Sequence, residues 1–264
     1  TLKQYASNVD ITIIDPSDQH LKITHLHETF RYPLSDLLVS FSVLESRFNC
    51  RHIRAALAVT DELLLQWQDQ KSLMVDNERI DFDYLIVTTG VDTRTQQCDQ
   101  IENVFTLQHF MQTPGTELLR EHLSKLGQDE PLISVVGAGA TGIQFLFEIK
   151  QFLCRQNIDF IPDTRYRGQN DCSVMLEEKQ TGRSFELTSH ATFLFLGKKQ
   201  ENILSANMFG QSVVNHQTLQ NIFVAGDCSV YTAFGSNIQS AQSAVRKGKL
   251  VGRNILRHSG MLKI

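Results

Sequence analysis

Apolar residues gather in short runs that stop at a glycine or an acid, a pattern of buried strands. Residues 2–7 read as the end of a helix, and 9–15 as a strand that closes on Asp15. A helical period takes over at 33–48, where Leu34, Leu37, Leu38, Phe41 and Leu44 share one face. Residues 51–59, 63–68 and 72–75 read as short strands, the last two facing each other across a polar turn, and 76–78 is a further turn. Residues 82–90 form a buried strand ending at Gly90. A polar loop (92–103) and a helix (about 116–126) follow, then the apolar run 133–136 and a helix-like stretch from Ile143. Residues 173–178 and 184–187 make a second hairpin, and 191–196 is a strand ending at Gly197, an echo of the one ending at Gly90. Residues 221–227 are a short strand ending in Gly-Asp. The last helix, 236–257, carries Ala241, Ala244, Gly248 and Gly252, small residues that allow close packing. There is no repeat array and no low-complexity stretch.

The junction at 133–149 carries the chemistry. The run Ile-Ser-Val-Val stops at Gly137-Ala-Gly139-Ala-Thr-Gly142, and a helix begins. Strand, G-x-G-x-x-G, helix is the dinucleotide-binding order. In it Gly137 makes the tight turn, Gly139 lets backbone approach a pyrophosphate, and Gly142 lets helix pack close on strand. The helix start then offers unpaired amides and a positive dipole end to phosphates. A purely structural glycine turn is the alternative.

Composition narrows the class. With 41% hydrophobic and 20% charged residues the 264-residue chain reads as a globular protein of one or two domains. A net charge of −4 argues against a nucleic-acid partner, which needs a basic face. Cys50, Cys98, Cys154, Cys172 and Cys228 are odd in number and lack a C-x-x-C, which points to a reducing compartment without a disulfide framework or zinc site. No apolar run is long enough to span a membrane, which leaves room for peripheral contact. His20, His25 and His27 are spaced as polar loop residues rather than as a metal site, and Tyr5, Trp67 and most phenylalanines read as core.

The ordered set of an acid-ended strand (11–15), Tyr84-Leu-Ile-Val-Thr-Thr-Gly90, Val136-Gly-Ala-Gly-Ala-Thr-Gly142, Ile222-Phe-Val-Ala-Gly-Asp227 and Ala241-Gln242 resembles the FAD-dependent pyridine nucleotide-disulfide oxidoreductase superfamily. Within it the chain is most similar to the type II NADH dehydrogenases, the NADH:quinone oxidoreductases. The resemblance implies an α/β chain of two Rossmann-like dinucleotide-binding domains. A discontinuous FAD-binding domain (1–112 and 198–264) would enclose an NAD(P)H-binding domain (113–197). It implies a flavoprotein that passes electrons from NAD(P)H through FAD to a quinone or another small acceptor, with the flavin carrying the chemistry and no catalytic side chain. It further implies a cytoplasmic protein at the inner membrane face, with room for a homodimer.

By the same resemblance Asp15 would hold the FAD adenosine ribose, and Thr89 and Gly90 would pass close to the FAD. Gly226 and Asp227 would meet the ribityl or pyrophosphate region, and Ala241 and Gln242 would lie near the isoalloxazine ring. Two bland alternatives stay open: Asp15-Pro16 simply ends a strand at a turn, and Asp227 makes an Asx turn toward Ser229 and Tyr231. The chain departs from the family in several places. It lacks the redox cysteine pair of the disulfide reductases. Cys98, Cys154 and Cys172 leave a sulfide:quinone alternative, against which a small buried hydrophobe is the commoner fate of free cysteine. Gln144 stands where Glu is usual, and Arg246 where a second Gln is usual near the quinone.

A ribose acid is due ~20 residues after a glycine loop. For Asp15 that loop would fall before Thr1. In the middle domain either 158–161 is the second strand with Asp163 as the acid, or the chain jumps near Leu153 over a strand and helix; the second reading is favoured. The chain is therefore expected to lack segments of the family pattern and to occur without bound cofactor. A non-catalytic nucleotide-binding scaffold of the same fold is the competing reading.

Overall fold

The computed structural model describes residues 2–6, 8–91, 101–127, 130–154, 157–197, 203–231 and 238–262. In chain order these form α1 (Leu2–Tyr5), β1 (Thr12–Asp15), β2 (Gln19–Leu21), 3-10 turns at Ile23–Phe30 and Leu34–Leu37, β3 (Leu38–Ser40), α2 (Phe41–Phe48) and β4 (Arg51–Arg54). Next come α3 (Asp61–Gln70), β5 (Ser72–Val75), β6 (Glu78–Asp81), β7 (Leu85–Val87), β8 (Val104–Thr106), α4 (Leu107–Phe110), α5 (Gly115–Leu126), β9 (Ile133–Val136) and α6 (Ala140–Phe152). The chain closes with β10 (Thr164–Asn170), β11 (Ser173–Glu178), β12 (Ser184–Thr188), β13 (Ala191–Leu194), β14 (Leu204–Ala206), β15 (Gln211–Val214), β16 (Gln217–Val224), β17 (Ser229–Tyr231) and α7 (Ala241–His258). The mixed α/β architecture is as expected. The chain divides into two compact units, one of Thr1–His20, Ser40–Asp92 and Gln200–Ile264, the other of Leu21–Val39 and Thr93–Lys199.

In the first unit β7 and β16 pair in parallel at one end of the sheet β17-β14-β15-β16-β7, while β1 pairs in parallel with β4. Leu64 and Trp67 of α3 are buried among Val87, Leu219, Ile222 and Val224, which form the core of this unit. Trp67 is thus a core residue, as read. The stretch 63–68 is a helix, not a strand. Thr60 caps it by accepting the Leu63 amide at 3.3 Å, and Asp61 and Glu62 favour the dipole of the first turn. Its supposed hairpin partner β5 pairs instead with β6. The connecting Asp76 and Asn77 both take positive φ (45° and 69°), the backbone a two-residue hairpin turn of matching twist requires. The expected helix at 33–48 is also interrupted. Ser40 takes an extended conformation and accepts the Ser42 amide at 3.2 Å, so the helix starts anew as α2. The strand expected over 51–59 stops at Arg54, which leaves 55–60 as a loop.

The second unit is built on the parallel sheet β8-β13-β9, with β10-β11-β12 as a separate antiparallel sheet. The second hairpin stands as expected, β11 pairing with β12 from Ser173↔Thr188 to Glu177↔Ser184. Phe30, Phe110, Phe145 and Phe193 meet in the core, with the Phe110 and Phe145 rings 4.6 Å apart. These contacts draw 21–39 into this unit, although that stretch is separated from it in sequence. Not every phenylalanine is core: Phe48, Phe147, Phe160 and Phe209 are exposed. A side-chain network holds the ends of the unit's strands: the Asn103 amide donates to Asp171 O (2.6 Å) and Ser189 O (3.3 Å) and accepts from Gln169 (3.2 Å).

Residues 158–161 form no strand. Ile158, Phe160 and Ile161 are exposed, and among the described residues β9 pairs with β13 alone. A strand needs a neighbour to take its amides; here the chain enters β10, which finds that neighbour in β11. The expected jump near Leu153 falls partly on 155 and 156, outside the described residues. Up to that point α6 closes in the ordinary way, with Leu153 N donating to Ile149 O and Cys154 N to Gln151 O. Most of the expected 92–103 loop, and the start of the expected helix at Ser236, also lie outside them.

Candidate functional site

Gly137, Gly139 and Gly142 of the second unit sit where a parallel strand pair ends. Leu194 of β13 lies opposite Val136 of β9, and Phe195 N donates to Val136 O at 2.8 Å. β9 then turns at Gly137, whose φ of +108° excludes ordinary L side chains and where a Cβ would lie 2.2 Å from Phe195 O. At Gly142 a Cβ would lie 1.9 Å from Gly137 O, so only glycine lets α6 approach its own turn. Gly139 differs: its φ is −75°, it is the N-cap of α6, and nothing lies within 4 Å of its virtual Cβ. The open side of Gly139 faces the start of a 13-residue helix, whose first amides have no intrahelical acceptor. The turn thus combines open space at Gly139 with backbone donors at the helix start, the two features a pyrophosphate site requires. Gln144 is exposed on α6. Asp163 has φ +51° and is exposed, so no strand presents it as a ribose acid.

The first unit repeats the theme. Val224 of β16 lies opposite Val87 of β7, and Ala225 N donates to Val87 O at 3.0 Å. Both strands then leave through glycine turns, one at Thr89-Gly90 and one at Gly226-Asp227, with φ of +73° at Gly90 and +76° at Gly226. The structure thus brings Thr89, Gly90, Gly226 and Asp227 to neighbouring strand ends. Thr89 also lines a cavity of about 380 Å³ with Leu57, Ala58, Val59, Thr60 and Leu204. That loop exists because β4 stops early. Asp15 ends β1, away from these strands in the sheet order, and its Oδ1 accepts the Ser17 amide at 2.8 Å, the Asx turn of the bland reading. Ala241 and Gln242 are exposed in the first turn of α7, behind the Ser240 cap.

The Gly226-Asp227 turn has a floor that the sequence did not reveal. Gly226 O accepts both the Ser229 amide (3.4 Å) and the Ser229 hydroxyl (2.8 Å), so Ser229 closes the turn on the glycine carbonyl. Beneath it lies Lys247 of α7, only 8% exposed. Its Nζ donates to Gly226 O (3.3 Å) and Ser229 O (2.5 Å) and stands 5.2 Å from the Tyr231 ring centre. Burial lowers the Lys247 pKa, and the neighbouring Asp227 and Cys228 act the other way. Burial also pushes the Tyr231 phenol up to about 12, with Cys228 adding to the shift. Nothing in a helix rich in lysine and arginine marks which lysine turns inward. Arg246, beside it, is exposed. Cys154 and Cys172 are exposed, so the small-hydrophobe reading fails for both, and Cys98 lies outside the described residues; Cys228 is buried. Among the described residues no helix is long and apolar enough to cross a membrane.

No family model matches the chain. A type II NADH:quinone oxidoreductase of Staphylococcus saprophyticus is 28% identical over 154 residues, 54% of this chain and 37% of that protein. One from Staphylococcus aureus is 23% identical over 308 residues, 94% of this chain and 75% of that protein. That alignment has more positions than this chain has residues, so it opens gaps against it. Among solved structures, NDH2 from Plasmodium falciparum in complex with NADH superposes with a TM-score of 0.64 at 14% identity, covering 84% of this chain and 60% of that one. The sulfide:quinone oxidoreductase of Aquifex aeolicus gives a TM-score of 0.66 at 17% identity, covering 98% and 73%. The chain therefore spans well under two thirds of the first of these relatives.

Proposed function

We propose that this chain, which has the fold of the FAD-dependent pyridine nucleotide-disulfide oxidoreductases, is a flavoprotein that takes electrons from NAD(P)H and passes them through FAD to a quinone. The observation that carries the reading is that each unit, taken by itself, has parallel strands leaving through glycine turns at their carboxyl ends, where α/β sheets receive ligands. In this reading the first unit binds FAD and the second binds NAD(P)H. When bound, FAD supplies hydride and electron transfer between the nicotinamide and the acceptor.

The chain's residues hold and orient. The α6 amides and Gly139 take the nicotinamide cofactor's pyrophosphate, with Gly137 and Gly142 keeping turn and helix in register. Asp227 accepts a hydrogen bond from a flavin-side hydroxyl; Thr89 and Gly90 border the same strand ends, and Ala241 and Gln242 lie beyond them at the start of α7. Asp15 keeps its Asx turn and offers its remaining acceptor capacity to a ribose. No side chain acts as acid or base. Peripheral attachment at the cytoplasmic membrane face, and a homodimer, complete the proposal on the similarity to type II NADH:quinone oxidoreductases.

The test is optical. The purified full-length protein is expected to show flavin absorption, which NADH should bleach without oxygen and a water-soluble quinone should restore. A colourless protein that takes up no FAD leaves the non-catalytic scaffold instead. Bleaching by sulfide but not by NADH favours the sulfide:quinone alternative.

A further inference from the structure

Lys247 is the buried charge that the proposed chemistry does not use. A buried ammonium is tolerated only when its donors are satisfied and its charge is compensated. Here two donors go to the carbonyls of Gly226 and Ser229, the Tyr231 ring face lies 5.2 Å away, and Asp227 lies close enough to favour the charged form. Gly226 O therefore receives three donors, from Ser229 N, Ser229 Oγ and Lys247 Nζ. On the far side Gln239 Nε2 donates to Asp227 O at 3.3 Å, and Leu204 N to Cys228 O at 2.7 Å. Each carbonyl from Gly226 to Ser229 thus has a named donor, and two of the four are held by one side chain from α7. Gly226 carries no Cβ to limit its backbone, so these hydrogen bonds are what set the conformation of the turn.

We infer that Lys247 is a positioning residue for the cofactor: by bridging the Gly226 and Ser229 carbonyls it locks the turn onto α7 and presents Asp227 in one orientation. The inference rests on the FAD-binding reading of this turn. Its signature is coupling. If Lys247 acts by orienting Asp227, removing Asp227 makes Lys247 irrelevant to the cofactor, whereas a lysine that merely supports folding weakens FAD binding independently or not at all.

The experiment is a double-mutant cycle on the full-length protein with K247M, D227A and both together, reading the FAD dissociation constant by flavin fluorescence. Methionine keeps the apolar stem and removes the charge. Each single variant is expected to raise Kd about tenfold or more, and the double variant to match D227A within about twofold. Additive losses, or a K247M Kd equal to wild type, overturn the inference while leaving the FAD site standing. A wild-type protein that binds no FAD overturns both. Should K247M fail to fold by circular dichroism, K247Q, whose amide can still donate to one carbonyl, takes its place in the same cycle.

Discussion

Replacing Gly139 and Gly142 by alanine in turn separates binding from folding within one loop. At Gly142 the added methyl carbon would lie 1.9 Å from the backbone oxygen of Gly137, and a backbone atom cannot rotate away as a side chain can. Alanine gains about 1 kcal/mol of helix propensity over glycine, but overpacking against backbone costs about 1–3 kcal/mol or more. The clash wins, because relieving it means moving α6 off the turn that Gly137 makes against Phe195 O. At Gly139 the methyl group meets nothing within 4 Å, and a φ of −75° suits alanine. Only the N-cap preference is lost there, a cost of under about 1 kcal/mol. Thermal unfolding of the full-length protein should show G142A lowered by roughly 2–4 °C per kcal/mol lost, with G139A close to wild type. NADH titration should show the reverse ordering for the folded variants, with the G139A Kd raised about tenfold or more, since the methyl occupies the face a pyrophosphate must approach. A G139A protein that binds NADH within about twofold of wild type would refute the cradle. A G142A protein with an unchanged midpoint would refute the packing argument.

Asp227→Ala should cost about 1–3 kcal/mol of FAD binding, seen as substoichiometric flavin after purification; full flavin content with normal turnover would mark Asp227 as a turn residue only. Tyr231, held protonated by burial to about 12, should ionise last of the tyrosines in a 295 nm alkaline titration. Its raised folded pKa makes it a source of stability that is complete below the ordinary tyrosine value and lost as pH climbs through about 12; a late phase that persists in Y231F would assign it elsewhere. Phe145→Ala, removing a ring only 1% exposed in the second unit's core, should destabilise by about 3–5 kcal/mol, and a loss below about 1 kcal/mol in urea unfolding would show that Phe110 and Phe195 close the gap.

Strand ends were legible because they are written in glycine. Gly90, Gly137, Gly197 and Gly226 all have positive φ, and each follows an apolar run that forms a parallel strand. Where the reading failed, a local cap outweighed the apolar pattern. The leucines at 63–65 look like a strand until Thr60 and the acids after it are recognised as a helix start. The leucine face of 33–48 continues smoothly across Ser40, yet the Ser40 side chain begins a new helix there. Lys247 and the loop at 55–60 were invisible for a different reason: both are defined by what packs against them from distant parts of the chain, and neither carries a periodic or motif signal.

The acids and the glycine cradles divide the recognition of a dinucleotide between them. A carboxylate only accepts hydrogen bonds and repels a phosphate, so an acid at a strand end suits a hydroxyl donor. Amides at a helix start only donate and suit the phosphates. The second unit has the amide half, at Gly139 and the start of α6, and no acid presented by a strand beside β9 among its described residues. The first unit has the acid half, with Asp227 set over a buried ammonium that offsets its charge and fixes its turn. A hydroxyl-rich ribityl chain is the part of a flavin nucleotide that such an acid can hold, and a pyrophosphate is the part that the cradle can hold. Each unit thus offers one half of a dinucleotide's hydrogen-bonding complement, and in the proposed reading Asp227 meets a flavin hydroxyl while the α6 amides meet the pyrophosphate of NAD(P)H.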